Sequence, residues 1–289
     1  LQPIDSSAHD HSIFFYIATP IQKYLTDWWH IRINPNMSYL QSENINPTFS
    51  NSNVYNRNYT VDVQNNFKWG DYYSATAGFE YQALNGHNVE QELNRDIFQQ
   101  GYFMQGQFSY ENRLILTGGF RHDVNSMFNN KTTYKFEGAY HYMNTIVRTS
   151  GSTGFRAPAI NDLFFPNFSN PDLEPEENDN WEVGIEHALL DGRVRFGITW
   201  FDMDFTNLIQ FNSATLKPEN IGKASSNGTE SFLKFRMTPD FDLSVVHTWN
   251  QAIDEDGSPL RRRAKHKLTT TFHHNWQNKL DSRFTIFHK

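Results

Sequence analysis

The sequence predicts an all-β protein, an antiparallel transmembrane β-barrel of which this chain supplies about fourteen strands. Three observations predict it: residue character alternates with period two, short and long connections alternate, and aromatic residues are abundant without any long apolar run. The alternation is plain in three stretches. From Arg193, the residues Val194, Phe196, Ile198 and Trp200 fall on one face, and Arg193, Arg195, Gly197 and Thr199 on the other. From Thr133, Tyr134, Phe136, Gly138, Tyr140 and Tyr142 oppose Thr133, Lys135, Glu137, Ala139 and His141. From Gly101, Tyr102, Met104, Phe108 and Tyr110 oppose Phe103, Gln105, Gln107 and Ser109. Period two means strands with one apolar and one polar face.

The connections come next. Short turns recur at Trp69-Gly70-Asp71, Glu111-Asn112-Arg113, Tyr142-Met143-Asn144, Leu190-Asp191-Gly192, Pro239-Asp240 and Gln277-Asn278-Lys279. Between them the sequence reads as longer polar loops near 41–55, 85–97, 125–131, 157–177, 207–226 and 254–263. Tight turns at one end and long loops at the other are the pattern of an outer-membrane barrel. A soluble sandwich also alternates strands and turns, but keeps that strict order less often.

Composition narrows the class. Lys and Arg total 25 against 32 Asp and Glu, a net charge of −7, without the basic footprint of a nucleic-acid binder. Aromatic residues make up 16% of the chain. A mean hydropathy of −0.67 suits a barrel, because only alternate residues meet lipid. Trp28, Trp29, Trp69, Trp181, Trp249 and Trp276 lie near predicted strand ends, the level of a membrane–water interface. There are no cysteines, so disulfides and thiolate metal sites are excluded. No apolar run reaches the length of a membrane helix. Leu1-Gln2-Pro3-Ile4 has no signal-peptide features, so a secreted protein's start is expected to be missing or removed.

One succession of motifs is specific. Gly151-Ser152-Thr153-Gly154-Phe155-Arg156-Ala157-Pro158 is followed by Asp162-Leu163-Phe164 and then by Asn170-Pro171-Asp172-Leu173-Glu174-Pro175-Glu176. In this order the three pieces resemble the barrel signature of TonB-dependent outer-membrane receptors. Gly118-Gly119-Phe120-Arg121-His122-Asp123, Trp181-Glu182-Val183-Gly184-Ile185-Glu186, Asn220-Ile221-Gly222-Lys223-Ala224 with Asn227-Gly228-Thr229-Glu230, and Leu260-Arg261-Arg262-Arg263-Ala264-Lys265-His266 resemble further segments of that family. The likeness is to the cobalamin and siderophore branch. Ser225-Ser226-Asn227 departs from it where the family carries a more apolar residue.

The resemblance implies a barrel of about 22 strands around a plug, of which this chain covers the middle and later part, without plug or last strands. It implies capture of a scarce nutrient, cobalamin or a ferric siderophore, and import driven by the TonB complex through the plug. No covalent chemistry, cofactor or metal is implied. A passive porin or an adhesin barrel is the alternative class.

Physical chemistry assigns roles within the motifs. Pro158 ends a strand because it removes a ladder donor, and Pro171 and Pro175 keep the following loop extended. Gly154, Phe155, Arg156, Ala157, Asn170, Leu173 and Glu176 are read with them as architectural. For ligand contact, Phe164, Phe165, Phe168 and Phe211 offer apolar surface, and Asn161, Asn167 and Asn212 adaptable hydrogen bonds. Arg262 and Arg263, beside Arg261, are either an anion contact, for lipopolysaccharide phosphates or an acidic ligand group, or a solvated rim balancing Asp254, Glu255 and Asp256. Asp254-Glu255-Asp256-Gly257 does not continue as a calcium loop. His273 and His274 point to opposite faces of a strand and cannot chelate one ion. His9 and His11 offer little better, and Asp202 and Asp204 read as hydrated carboxylates. No catalytic motif is present.

Overall fold

The computed structural model describes residues 9–45, 51–88, 93–165, 167–277 and 279–289. Asn278 of one expected turn, residues 46–50 and 89–92 of two expected loops, and Leu1–Ile4 lie outside the described residues. The strands are β1 (His9–Ala18), β2 (Ile21–Thr26), β3 (Trp29–Ile45), β4 (Ser52–Trp69), β5 (Tyr73–Asn88), β6 (Leu93–Tyr110), β7 (Leu114–Asn125) and β8 (Lys131–Tyr142). They continue as β9 (Thr145–Arg156), β10 (Glu176–Leu189), β11 (Val194–Asn212), β12 (Lys217–Thr238), β13 (Phe241–Asp254), β14 (His266–Trp276) and β15 (Leu280–His288). A five-residue helix, α1 (Ile160–Phe164), sits between β9 and β10.

All strands form one antiparallel sheet in sequence order, and β1 and β2 both pair with β3. The fifteen strands therefore occupy fourteen positions, because one strand is split. The cause is a meeting of two prolines. Thr19 N–H donates to the Pro35 carbonyl at 3.1 Å, but Pro35 has no N–H to return the bond, and Pro20 follows directly. Among the described residues no pairing joins β1 to β15, so the sheet is open along those two edges.

The six expected turns fall where the sequence places them, with a further one between β2 and β3. Glu111 with Asn112 and Leu190 with Asp191 have positive φ (49° to 54°) at both members of the pair. Such turns match the twist of a tight hairpin.

The long connections differ from expectation. The region 207–226, expected to be a loop, is mostly ladder: β11 runs to Asn212, β12 resumes at Lys217, and Leu208↔Ile221 to Asn212↔Lys217 are paired. The 41–55 and 85–97 regions are likewise shortened by β3, β4, β5 and β6. Beyond the membrane both faces of a strand meet water, so the apolar alternation fades although the hydrogen-bonded ladder continues.

Register assigns the faces. Trp181, Val183 and Ile185 on β10, Phe196, Ile198 and Trp200 on β11, and Phe136 and Tyr140 on β8 share the outer face, where each is between 42% and 60% exposed. The inner face is polar: Arg148 and Arg195 both pair with Glu186, and Arg121 bridges Glu80 and Asp123. Each residue climbs about 2.5 Å at a rise near 3.3 Å and a tilt near 40°. From Leu189 up to Trp181 the apolar band on β10 is thus about 20 Å tall, close to the spanning height of such barrels. Trp28, Trp29, Trp69 and Trp276 lie at the short-turn rim of this band. Trp181 and Trp249 sit inside their strands at its upper rim, because the strands run on past the membrane.

Candidate functional site

The motif after β9 builds the mouth above the band. Arg156, the last residue of β9, faces Glu176, the first of β10. Arg156 Nε and Nη2 each donate to one oxygen of the Glu176 carboxylate at 2.6 Å, and the Ile209 N–H of β11 donates to the same group at 2.8 Å. One carboxylate thus ties three strands. Both residues lie above the band. The hydrogen bonds from Arg156 hold the Glu176 carboxyl below the usual carboxylate range, with the Ile209 N–H adding to the effect against partial burial. Glu176 in turn holds the proton of Arg156 more firmly.

The segment between them is pinned on both sides. Ala159 N–H donates to the Asp162 carboxylate at 3.0 Å at the start of α1, and Leu163 is buried at 2% exposure. Asn170 accepts from Asp172 N–H, donates its side-chain amide to the Pro218 carbonyl at 3.1 Å, and donates its own N–H to Asp162 O. Leu173 and Pro175 are buried. Glu174 N–H donates to Asn220 Oδ1 at 2.8 Å, and Asn220 Nδ2 returns to the Glu174 and Asn207 carbonyls. Ala157, Pro158, Ala159 and Ile160 reach the inner face of β5–β7, where they share a cavity of about 250 Å³ with Leu84, Ile97 and Met127. The segment therefore crosses the mouth from β5–β7 to β11–β12, which also shows that the inner face is concave.

Two glycines of the signature have steric reasons. A Cβ on Gly151 would lie 2.7 Å from the Trp181 ring, which rests on its backbone at the outer face. A Cβ on Gly154 would lie 2.5 Å from Asn178 Oδ1 on the inner face.

The sequence-predicted contact residues sort clearly. Phe165, Phe168 and Phe211 converge with Arg156, Asp162 and Ile209 on a recess of about 450 Å³ at the mouth, which Asn161 and Pro218 complete. The rings of Phe165 and Phe168 are 6.3 Å apart. Phe164 points elsewhere, under the Arg95 guanidinium at 4.7 Å. Asn167 is exposed with φ of 67°. Asn212 closes the β11–β12 hairpin: it donates to Glu219 at 2.8 Å and accepts from Ala214 N–H. Asn212, then Thr215, hold the Glu219 carboxyl below its usual range. Arg262 and Arg263 are exposed on the connection between β13 and β14 and do not line the recess. The sequence assigns Arg156 an architectural role and gives Ile209 and Pro218 none; Ile209 and Pro218 enter the wall through the inward parity of β11 and β12 above the band.

A larger recess of about 640 Å³ lies on the inner face within the height of the band, lined by Arg148, Glu182, Glu230 and Lys234 among others. We place the candidate site at the mouth because the recess there joins residues of the long connection after β9 to the inner faces of β11 and β12. Among the described residues no group of metal-ligating side chains is assembled.

An antiparallel sheet with an apolar outer belt, a charged concave face and an aromatic recess at the end of its long connections defines a receptor-type outer-membrane β-barrel. The chain belongs to the TonB dependent receptor-like β-barrel family, whose model matches residues 8–287. That family is one of transport receptors, and it places the chain in the outer membrane of a Gram-negative bacterium. Similar curated proteins include the vitamin B12 transporter BtuB of Vibrio cholerae, 30% identical over 159 residues, covering 53% of this chain and 25% of that protein. BtuB of Photobacterium profundum is 25% identical over 244 residues, 78% of this chain and 38% of that protein. The chain thus spans well under half the length of these relatives. Among solved structures, the siderophore receptor PirA of Pseudomonas aeruginosa aligns with a TM-score of 0.79 at 16% identity, covering 96% of this chain and 56% of that one. A mutant of the ferric enterobactin receptor PfeA from the same organism aligns at 0.82 and 14%, covering 96% and 49%. At these identities the structures share the fold.

Proposed function

We propose that this chain is part of the barrel domain of a receptor that captures cobalamin or a ferric siderophore at its extracellular mouth. Import is then powered by the TonB complex acting on a plug outside residues 1–289, and the protein makes and breaks no covalent bond. The observation that carries the reading is the mouth recess, where Phe165 and Phe168 meet Arg156 and Asp162 against a wall of paired ladder that carries Ile209, Phe211 and Pro218. Aromatic faces beside a few fixed polar groups suit a large, partly apolar ligand. Curated relatives that the chain matches include proteins named as vitamin B12 transporters, which favours cobalamin. On the outside, the apolar belt meets lipid, and Arg262 and Arg263 face anionic groups of lipopolysaccharide or ligand.

The test is equilibrium binding of cobalamin and of a ferric siderophore to outer membranes carrying the full-length protein. Saturable nanomolar binding of cobalamin supports both class and ligand. Binding of the siderophore alone keeps the class and changes the ligand. Binding of neither overturns the ligand reading and reopens a passive or adhesive barrel and other nutrients.

A further inference from the structure

The outer face of β4–β6 carries a recess of about 550 Å³, lined by Tyr55, Arg57, Asn85, His87, Asn94 and Asp96. Register puts all six on the lipid side. Tyr55, His87 and Asn94 form one cross-strand row, and Arg57, Asn85 and Asp96 the row beneath it. Directly below comes the row Tyr59, Ala83 and Phe98, and then Val61 and Tyr81, which belong to the exposed apolar belt. Same-face rows are two residues apart, about 5 Å in height once the tilt is included. The lower polar row therefore lies about 5 Å above the belt, within a headgroup layer about 5–8 Å deep, and the upper row, at about 10 Å, lies just beyond its outer edge. A solute entering the mouth meets the opposite face of the sheet. What this recess meets is the headgroup of a surrounding lipid.

Its chemistry narrows the headgroup. The Arg57 guanidinium, which lines the recess, lies 5.9 Å from the centre of the Tyr39 ring. The Tyr55 and His87 rings are 6.1 Å apart, and Asn85 donates to Asp96 at 2.6 Å. A guanidinium fork suits phosphate. Ring faces beside amides and a carboxylate suit sugar hydroxyls. Both features match one molecule of the outer leaflet. We propose that this recess binds the phosphorylated amino-sugar headgroup of a lipopolysaccharide held against β4–β6. The proposal rests on the outer-membrane placement and is independent of which nutrient the mouth takes.

The test uses the full-length protein, delipidated in detergent and titrated with deep-rough lipopolysaccharide under native mass spectrometry. Dephosphorylated lipopolysaccharide and phosphatidylglycerol are parallel probes. The Arg57→Ala/His87→Ala variant is expected to bind lipopolysaccharide about tenfold more weakly, as fits loss of a charge-assisted contact at an exposed site. Dephosphorylated lipid should bind the wild type with a similar loss. Nutrient binding and the shift in gel mobility on heating should be unchanged, which shows that the variant folds. Should the double variant fold poorly, Asn94→Ala at the rim should still give a loss of about threefold. Wild-type lipopolysaccharide affinity in the folded variants, or phosphatidylglycerol binding as tightly as lipopolysaccharide, overturns the proposal. Absence of nutrient binding with these lipid results intact would overturn only the ligand reading.

Discussion

Replacing Arg156 by Ala should loosen the junction of β9, β10 and β11 without unfolding the sheet. The Glu176 carboxylate receives two bonds from Arg156 at 2.6 Å and one from Ile209 N–H at 2.8 Å, and the variant keeps only the last. A charge-assisted hydrogen bond contributes about 1.5–3 kcal/mol when shielded, whereas an exposed ion pair contributes about 0–1 kcal/mol. The Arg156 side chain is 58% exposed and that of Glu176 only 16%, so the pair falls between these limits. Bidentate geometry raises the figure and solvent on the arginine side lowers it, giving about 1–2 kcal/mol. At about 1.4 kcal/mol per tenfold, local opening should rise about 5- to 30-fold. The assay is amide hydrogen exchange of Ile209 in the full-length protein, with Ile185 in the spanning part of β10 as an internal reference. Protection at Ile209 within about twofold of wild type would refute the argument, since nothing else described fills the place of Arg156. The acid dependence gives a second reading. Because Glu176 titrates below its ordinary value in the folded protein, its contribution is complete above the ordinary carboxylate range and is lost as pH falls through the lowered value. After correction for intrinsic exchange, wild-type opening should stay flat down to about pH 5 and then rise. In Arg156→Ala, which removes the main cause of the lowered value, that rise should be smaller.

Four further outcomes follow from the same geometry. Phe165→Ala with Phe211→Ala should weaken nutrient binding about 10- to 100-fold in a titration on outer membranes, through lost apolar contact. Gly151→Ala should cost about 1 kcal/mol in unfolding midpoint measured in detergent, at the low end for overpacking because the exposed Trp181 ring can swing into lipid. Adding Trp181→Ala should then remove most of the further cost of Gly151→Ala. Arg121→Ala should destabilise the folded barrel by about 3 kcal/mol, because Asp123, with a side chain only 2% exposed, keeps Gln99 alone as its described partner.

The sequence was most legible where the membrane imposes its pattern. Alternation at Val194–Trp200 and Tyr134–Tyr142 fixed the strands and their outward faces, because lipid on one side and a polar interior on the other leave little choice. The turns at Glu111–Asn112 and Leu190–Asp191 were legible from local chemistry alone. Above the membrane that pressure vanishes. Leu208 to Asn212 and Lys217 to Ile221 pair residue for residue, yet read as a loop because water bathes both faces. The candidate site was legible in kind more than in detail. Phenylalanines in a polar loop signal contact, but sorting Phe165 and Phe168 from Phe164 depends on Arg95, about seventy residues earlier in sequence. Asn212 bonds to Glu219 across its own hairpin, a short-range pairing hidden by the mistaken loop. The signature glycines had no visible reason, since Trp181 and Asn178 reach them only across the ladder.

The extension of β11 and β12 past the membrane has an energetic consequence for evolution of the mouth. Ile209, Phe211 and Pro218 stand on paired ladder, so a ligand meeting that wall need not freeze it first. Outward neighbours on those same stretches, such as Asn212 and Glu219, bond to one another across the hairpin and take no part in the recess. Substitutions on the inner row can therefore retune what is recognised while the backbone hydrogen bonds, indifferent to side-chain identity, keep the scaffold in place. Such a hairpin behaves as an interchangeable cassette: its ligand preference can drift one side chain at a time without the chain passing through an unfolded intermediate design.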